Sequence, residues 1–266
     1  MKTTNSDAKR KKWLYPLVYC LFVVISFLPL YTEKPYSPEN TQDVILNLLM
    51  SSTQPFKKWG ILFHVLTLAI IVLISANPKR ANRVFAGYIG INYIIIAFVQ
   101  SIGITEVYGR VVHTGGMIAF LILGFIWIQA AIRGNLETSF DHIKRPLLCL
   151  FPFALLAFWA PYSIQGYSIV PDFNPLLLIT SPDYGLTFCL TTPVFLFLLS
   201  FFYPRIPIFA YRVTAFNGLL YALFNLTHWF RPETRWMGFL HIPLLVMSLF
   251  ALIQSTGKRY GKSSLK

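Results

Sequence analysis

Residues 59–76 read WGILFHVLTLAIIVLISA, eighteen positions without an acid, a lysine or an arginine, bounded by Lys57 and Lys58 before them and by Lys79 and Arg80 after. A bilayer core ~30 Å thick takes ~20 residues of helix, and lipid offers no partner to backbone N–H and C=O groups. A run of this kind therefore reads as a membrane-spanning helix. Working outward from it, seven more runs qualify, at 13–31, 84–104, 111–132, 146–164, 185–203, 206–230 and 236–253. Pro204 and Pro207 divide the sixth of the eight from the seventh, since proline cannot continue a helix. The expected fold is all-α: a bundle of eight transmembrane helices over residues 13–253, with basic cytoplasmic tails at 1–12 and 254–266.

Composition agrees. The 266 residues are 55% apolar and only 12% charged, against ~25% charged in an ordinary soluble domain, and mean hydropathy is +0.57. So little charge with 17% aromatic residues excludes a disordered chain, a coiled coil and a soluble nucleic-acid binder. The first apolar run follows Lys9, Arg10, Lys11 and Lys12. It is longer than the ~7–15 residues of a signal-peptide core and has no small-x-small site before Thr32, so it reads as an anchor. Cys20, Cys149 and Cys189 are isolated within apolar runs and form no C-x-x-C pair, which makes them expected buried small hydrophobes.

Charge placement gives the orientation. Of 23 Lys and Arg, 17 fall in the two tails and in the connections after the second, fourth and sixth spans; six fall in the alternate connections. Positive residues stay inside, so both termini are expected to be cytoplasmic in a cell membrane. Seven of the ten acids lie on the other side, which leaves the net charge of +13 concentrated inside. The expected partners are the bilayer and anionic lipid headgroups on the cytoplasmic face, not nucleic acid.

Spacing of the spans suggests a 4+4 duplication. Each half has a long first outer connection (32–58 and 165–184) and a short second one (105–110 and 231–235), and Arg83-Val84-x-Ala86 echoes Arg212-Val213-x-Ala215. Four spans per half would make the repeats parallel. Within the long connections, Ser37-Pro38-Glu39 signals the start of a short interfacial helix running to Met50. Ser181-Pro182-Asp183 carries the same signature and is expected to open the sixth span; residues 176–179, too short to cross, are expected to cap the bundle.

Chemistry-bearing residues are few. None of the ten carboxylates falls in a span core, and no P-loop, H-E-x-x-H or G-x-S-x-G pattern occurs. Arg212, about two turns into the seventh span, either snorkels to the interface or contacts an anion or lipid phosphate. Asn92, Gln100, Gln129, Asn217 and Asn225 are expected to join helices by hydrogen bonds, and Gly87, Gly90, Gly115, Gly116 and Gly124 to permit close packing. His64, His113, His228 and His241 all sit near the outer ends of their spans. Such a layer either is a scattered set of interfacial residues or could hold a metal ion, haem iron or a quinone headgroup, joined by Asp172, Asp183 and Glu106 from the outer connections. His228 and His241, on spans joined by about five residues, are the expected close pair. Three functions fit: a small permease or membrane-embedded subunit handling a neutral or lipophilic solute; an outer-face enzyme or electron-transfer protein using the histidines; or a structural membrane subunit.

Overall fold

Breaks between helices follow from local chemistry. Asn77 precedes Pro78, is driven out of the helical region (φ −148°, ψ 78°), and its side chain accepts the Arg80 N–H at 3.2 Å, which ends one helix and starts the next. Gly134, at φ 61°, closes another. The computed structural model describes residues 5–139, 145–165 and 168–256. Among them the helices are α1 (Asn5–Ser26), α2 (Thr41–Ser52), α3 (Gly60–Ala76), α4 (Pro78–Val99), α5 (Thr114–Arg133), α6 (Phe151–Trp159), α7 (Leu177–Thr180), α8 (Phe188–Phe202), α9 (Ile208–Asn225), α10 (Arg235–Leu240) and α11 (Ile242–Thr256).

The protein is mostly helical, and four helical segments, Gln54–Ala76, Pro78–Val99, Thr114–Arg133 and Pro232–Thr256, are long and apolar enough to cross a membrane. Three shorter apolar helices, Trp13–Ser26, Pro146–Trp159 and Phe188–Phe202, complete the apolar set. α8 is buried along its whole length, as a helix that is apolar all round must be. Around it, α4 and α5 approach closely: a Cβ on Gly90 would lie 2.8 Å from the Ile128 nitrogen and 2.9 Å from the Gly124 oxygen. Trp127 on α5 donates to Thr214 Oγ1 on α9 at 2.9 Å, and Phe120 stacks on Phe188 with centroids 4.7 Å apart.

One end of the bundle carries a cap. β1 (Tyr31–Thr32), β3 (Gly109–Val112) and β2 (Ile102–Thr105) form an antiparallel sheet in that order, with Tyr31 and Ile102 both opposite Val112. β4 (Tyr162–Gln165) pairs antiparallel with β5 (Ser168–Pro171). α2 and the turns between α9 and α10 pack with these strands. At the other end, Thr138 bonds Asn82 Oδ1 through its N–H at 2.6 Å, and Glu137 N–H reaches the Arg205 carbonyl at 2.9 Å.

The structure corrects several boundaries. The sixth run becomes helical only at Phe188, because Ser181–Thr187 is spent on turns: Leu186 and Thr187 N–H both bond the Asp183 carbonyl, and Gly185 sits at φ 79°. The fifth run is helical to Trp159 and then becomes β4. The seventh ends as an α-helix at Asn225, and the eighth is interrupted at His241, two residues before Pro243, which has no backbone N–H to donate. Cys20 and Cys149 are exposed, because their helices turn those positions away from the core, and of the three cysteines only Cys189 is buried. The 4+4 duplication is not shown. The connection at 32–58 folds as a strand and a twelve-residue helix, whereas that at 165–184 holds a strand paired with β4 and a four-residue helix. A helix follows Ser37 as expected, α2, preceded by a short turn of helix at Pro38–Asn40. α7 packs on α3 and α6, capping the bundle.

Candidate functional site

α2 is amphipathic in a way that makes it a roof. Val44 and Leu48, four residues apart and one above the other on the helix, are buried against Val111 of β3, with Leu30, Tyr36 and Tyr108 around them. Ile45, Leu46 and Leu49, on the adjoining face, line a space beneath. The end of α2 near Asp43 is tied by a 2.6 Å ion pair to Arg231, in the turn after α9.

Beneath the roof lie two adjoining chambers. The outer, about 480 Å³, opens between the C-terminal ends of α1 and α9, where Phe27 and Phe224 stand edge to face at 6.0 Å. Phe27, Leu223 and Phe224 are exposed and give the mouth apolar flanks, with Ser26, Thr41, Gln42 and Thr227 also in the lining. The inner chamber, about 110 Å³, runs deeper towards α8 and α10. Both are lined by Ile45, Leu46, Leu49, His113, Tyr221 and Asn225. The inner wall adds Gln100, Tyr162, Asp183, Thr187 and His241, and no Lys or Arg among the described residues lines either chamber.

His113, His228 and His241 reach this cavity. The His228 and His241 rings lie 6.2 Å apart and nearly parallel, at 22°. His241 is buried, and its Nδ1 is 2.6 Å from the Met237 carbonyl. A carbonyl can only accept, so Nδ1 carries the hydrogen and the neutral ring keeps its lone pair on Nε2. His228 Nδ1 is 3.0 Å from Thr234 Oγ1. His64 stands apart: Nδ1 and Nε2 are taken by the Gly60 and Phe158 carbonyls at 2.8 and 3.0 Å, and the ring packs on Phe158 and Tyr184.

Of the outer carboxyls, only Asp183 lines the cavity. Asp172 folds back in an Asx turn, its Oδ1 accepting the Asn174 N–H at 3.1 Å, and Glu106 is exposed in the β2–β3 turn. Asp183 is 4% exposed; the Tyr162 hydroxyl donates to its Oδ2, and Oδ1 has no partner. Tyr162 sits in β4, in the cap, where burial and then the Asp183 charge hold its phenol well above the usual value, so it remains a donor. No three His, Cys, Asp or Glu side chains among the described residues are grouped as a metal ion requires. Arg212 does not reach the cavity. Its guanidinium lies 4.3 Å from the centre of the Tyr15 ring and bonds Ser255 at the opposite end, so it is held by the protein's own groups.

Gln100, Tyr162, Thr187, Tyr221 and Asn225 enter the site with no motif to mark them. Two of the five amides join distant segments: Asn92 donates to the Gly185 carbonyl at 2.8 Å, and Gln100 Oε1 accepts the Phe188 N–H at 2.7 Å, capping α8. Asn225 bonds within its own helix and Asn217 is buried without a partner. No family model, curated protein or solved structure matches the chain.

Proposed function

We propose that the chain is a multi-pass cell-membrane protein of eight spans, with both termini cytoplasmic and the cap outside. Its cavity admits a lipophilic solute as the binding stage of a small permease or of a membrane-embedded subunit. The spans are α1, α3, α4, α5, α6 with the turn before it, α8, α9, and α10 with α11. The 17-to-6 division of Lys and Arg supports the orientation. The observation that carries the solute reading is the cavity itself: a mouth flanked by exposed Phe27 and Phe224, a roof of Ile45, Leu46 and Leu49, and a deep end where Gln100, Tyr162 and Asp183 gather. That sequence of surfaces suits a molecule with an apolar body and a polar tip entering from the outer leaflet.

The test is native mass spectrometry of the protein released from maltoside micelles containing hexadecanol. One bound hexadecanol is expected, and Leu46→Trp, which fills the space common to both chambers, should abolish it. Absence of binding, or binding indifferent to Leu46→Trp, would overturn the reading. Flux of a fluorescent alkyl alcohol across proteoliposomes then separates a permease from a binding subunit. A second reading, redox chemistry with a quinone headgroup at the histidines, is favoured by the 6.2 Å approach of His228 to His241 and by His113 in the same cavity. A co-purifying quinone lost in His241→Ala would support it.

A further inference from the structure

Asp183 sits in the cavity under conditions that a purely structural aspartate does not need. An aspartate that shapes a turn or caps a helix uses its carboxylate to accept nearby backbone N–H groups, as Asp172 does. Here the turn is made by the Asp183 main-chain carbonyl, which accepts from Leu186 and Thr187, while among the described residues the carboxylate bonds Tyr162 alone. Oδ1 is buried and unpartnered, and no cation pairs with Asp183 among the described residues. Arg231, on the same side of the protein, is already spent on Asp43. A buried carboxylate without a counter-charge is costly unless something supplies one.

The surroundings specify what could. Tyr162 and Tyr221 bring aromatic rings to the same chamber, and aromatic faces with a carboxylate are the surroundings that desolvated ammonium groups favour. A phosphate or sulfate would find no Lys or Arg among the described residues of either lining. Resting on the solute reading above, we propose that Asp183, held by Tyr162, receives the ammonium head of an amphiphile whose apolar chain lies under α2 and leaves between Phe27 and Phe224. The ammonium group could belong to a free long-chain amine or to a choline-type lipid headgroup; the chemistry at Asp183 is the same.

The experiment compares three amphiphiles by native mass spectrometry: hexadecyltrimethylammonium, neutral hexadecanol and dipalmitoylphosphatidylcholine. The wild type is expected to bind the ammonium amphiphile about ten-fold more tightly than hexadecanol, the size of a desolvated cation–carboxylate and cation–π contact. Asp183→Asn should bring that ratio to about one, and Asp183→Glu should retain a preference. Binding of hexadecyltrimethylammonium without phosphatidylcholine assigns the site to a free amine, and comparable binding of both assigns it to a lipid headgroup. A wild-type ratio near one, or a ratio that survives Asp183→Asn, overturns the proposal while leaving the solute reading standing. Failure of all three amphiphiles to bind overturns both. Should Asp183→Asn not fold, the wild-type ratio and its retention in Asp183→Glu decide.

Discussion

If α2 is a roof, the strength of its fastening decides whether the cavity exists in solution, and two fastenings compete for that role. Leu48 is 1% exposed in a small cluster with Val44 and Val111. Truncating a buried leucine to alanine costs ~2–5 kcal/mol, and a small cluster under one helix can partly collapse, so the low end applies, about 2–3 kcal/mol. The Arg231–Asp43 pair is shorter and visually stronger, yet its side chains are 37% and 47% exposed, and pairs of that kind contribute ~0.2–1 kcal/mol. Leu48→Ala should therefore raise the opening equilibrium of α2 by roughly 30- to 150-fold, and Asp43→Asn by no more than about five-fold. Amide hydrogen exchange along Thr41–Ser52, measured by mass spectrometry on the protein in detergent, reads that equilibrium directly. α3 and α4 serve as internal references that neither change should affect. If Asp43→Asn deprotects α2 more than Leu48→Ala does, the roof hangs on charge, and the packing account is wrong.

Two further outcomes are expected. With Cys20, Cys149 and Cys189 replaced, single cysteines placed in either tail should resist an impermeant thiol reagent in intact cells, while a cysteine at 165 or 174 should react; external labelling of a tail would reverse the orientation. Gly185→Ala places a Cβ on the Phe63 ring at a residue held at φ 79°, so loss of about 3 kcal/mol or more is expected from overpacking and backbone strain together; thermal unfolding followed by tryptophan fluorescence should show a clear drop in Tm, and an unchanged Tm would refute it.

The parts of the fold legible in the sequence are those set by local composition. Apolar runs, the Pro204 and Pro207 break and the Ser37-Pro38-Glu39 start of α2 need no knowledge of distant residues. The cap is different. Tyr31 meets Val112 across some eighty positions, and nothing in either short segment announces the other. Ser181-Pro182-Asp183 fails as a helix start for a related reason. Its residue types favour turns as much as helix N-termini, and the choice is made by Gly185 and by Asn92, whose amide reaches across from α4 to hold the Gly185 carbonyl.

The candidate site shows the same division at finer scale. Counting along a helix gives a histidine's depth but not its azimuth, so four residues at similar depth are indistinguishable in the sequence. In the structure His64 turns towards backbone carbonyls and aromatic rings, while His113, His228 and His241 turn into one cavity. Asp183 illustrates a further limit. A search for carboxylates inside spans passes over it, because it lies in the turn before α8, in a connection expected to face water. The cap then folds across that connection: Trp236 Nε1 donates to the Pro161 carbonyl at 2.9 Å, bracing the start of β4, and β4 carries Tyr162 onto the carboxylate. Burial of Asp183 is thus imposed by a hairpin and a helix start more than fifty residues apart, and a chemically distinctive group of the cavity is one whose environment no local pattern encodes.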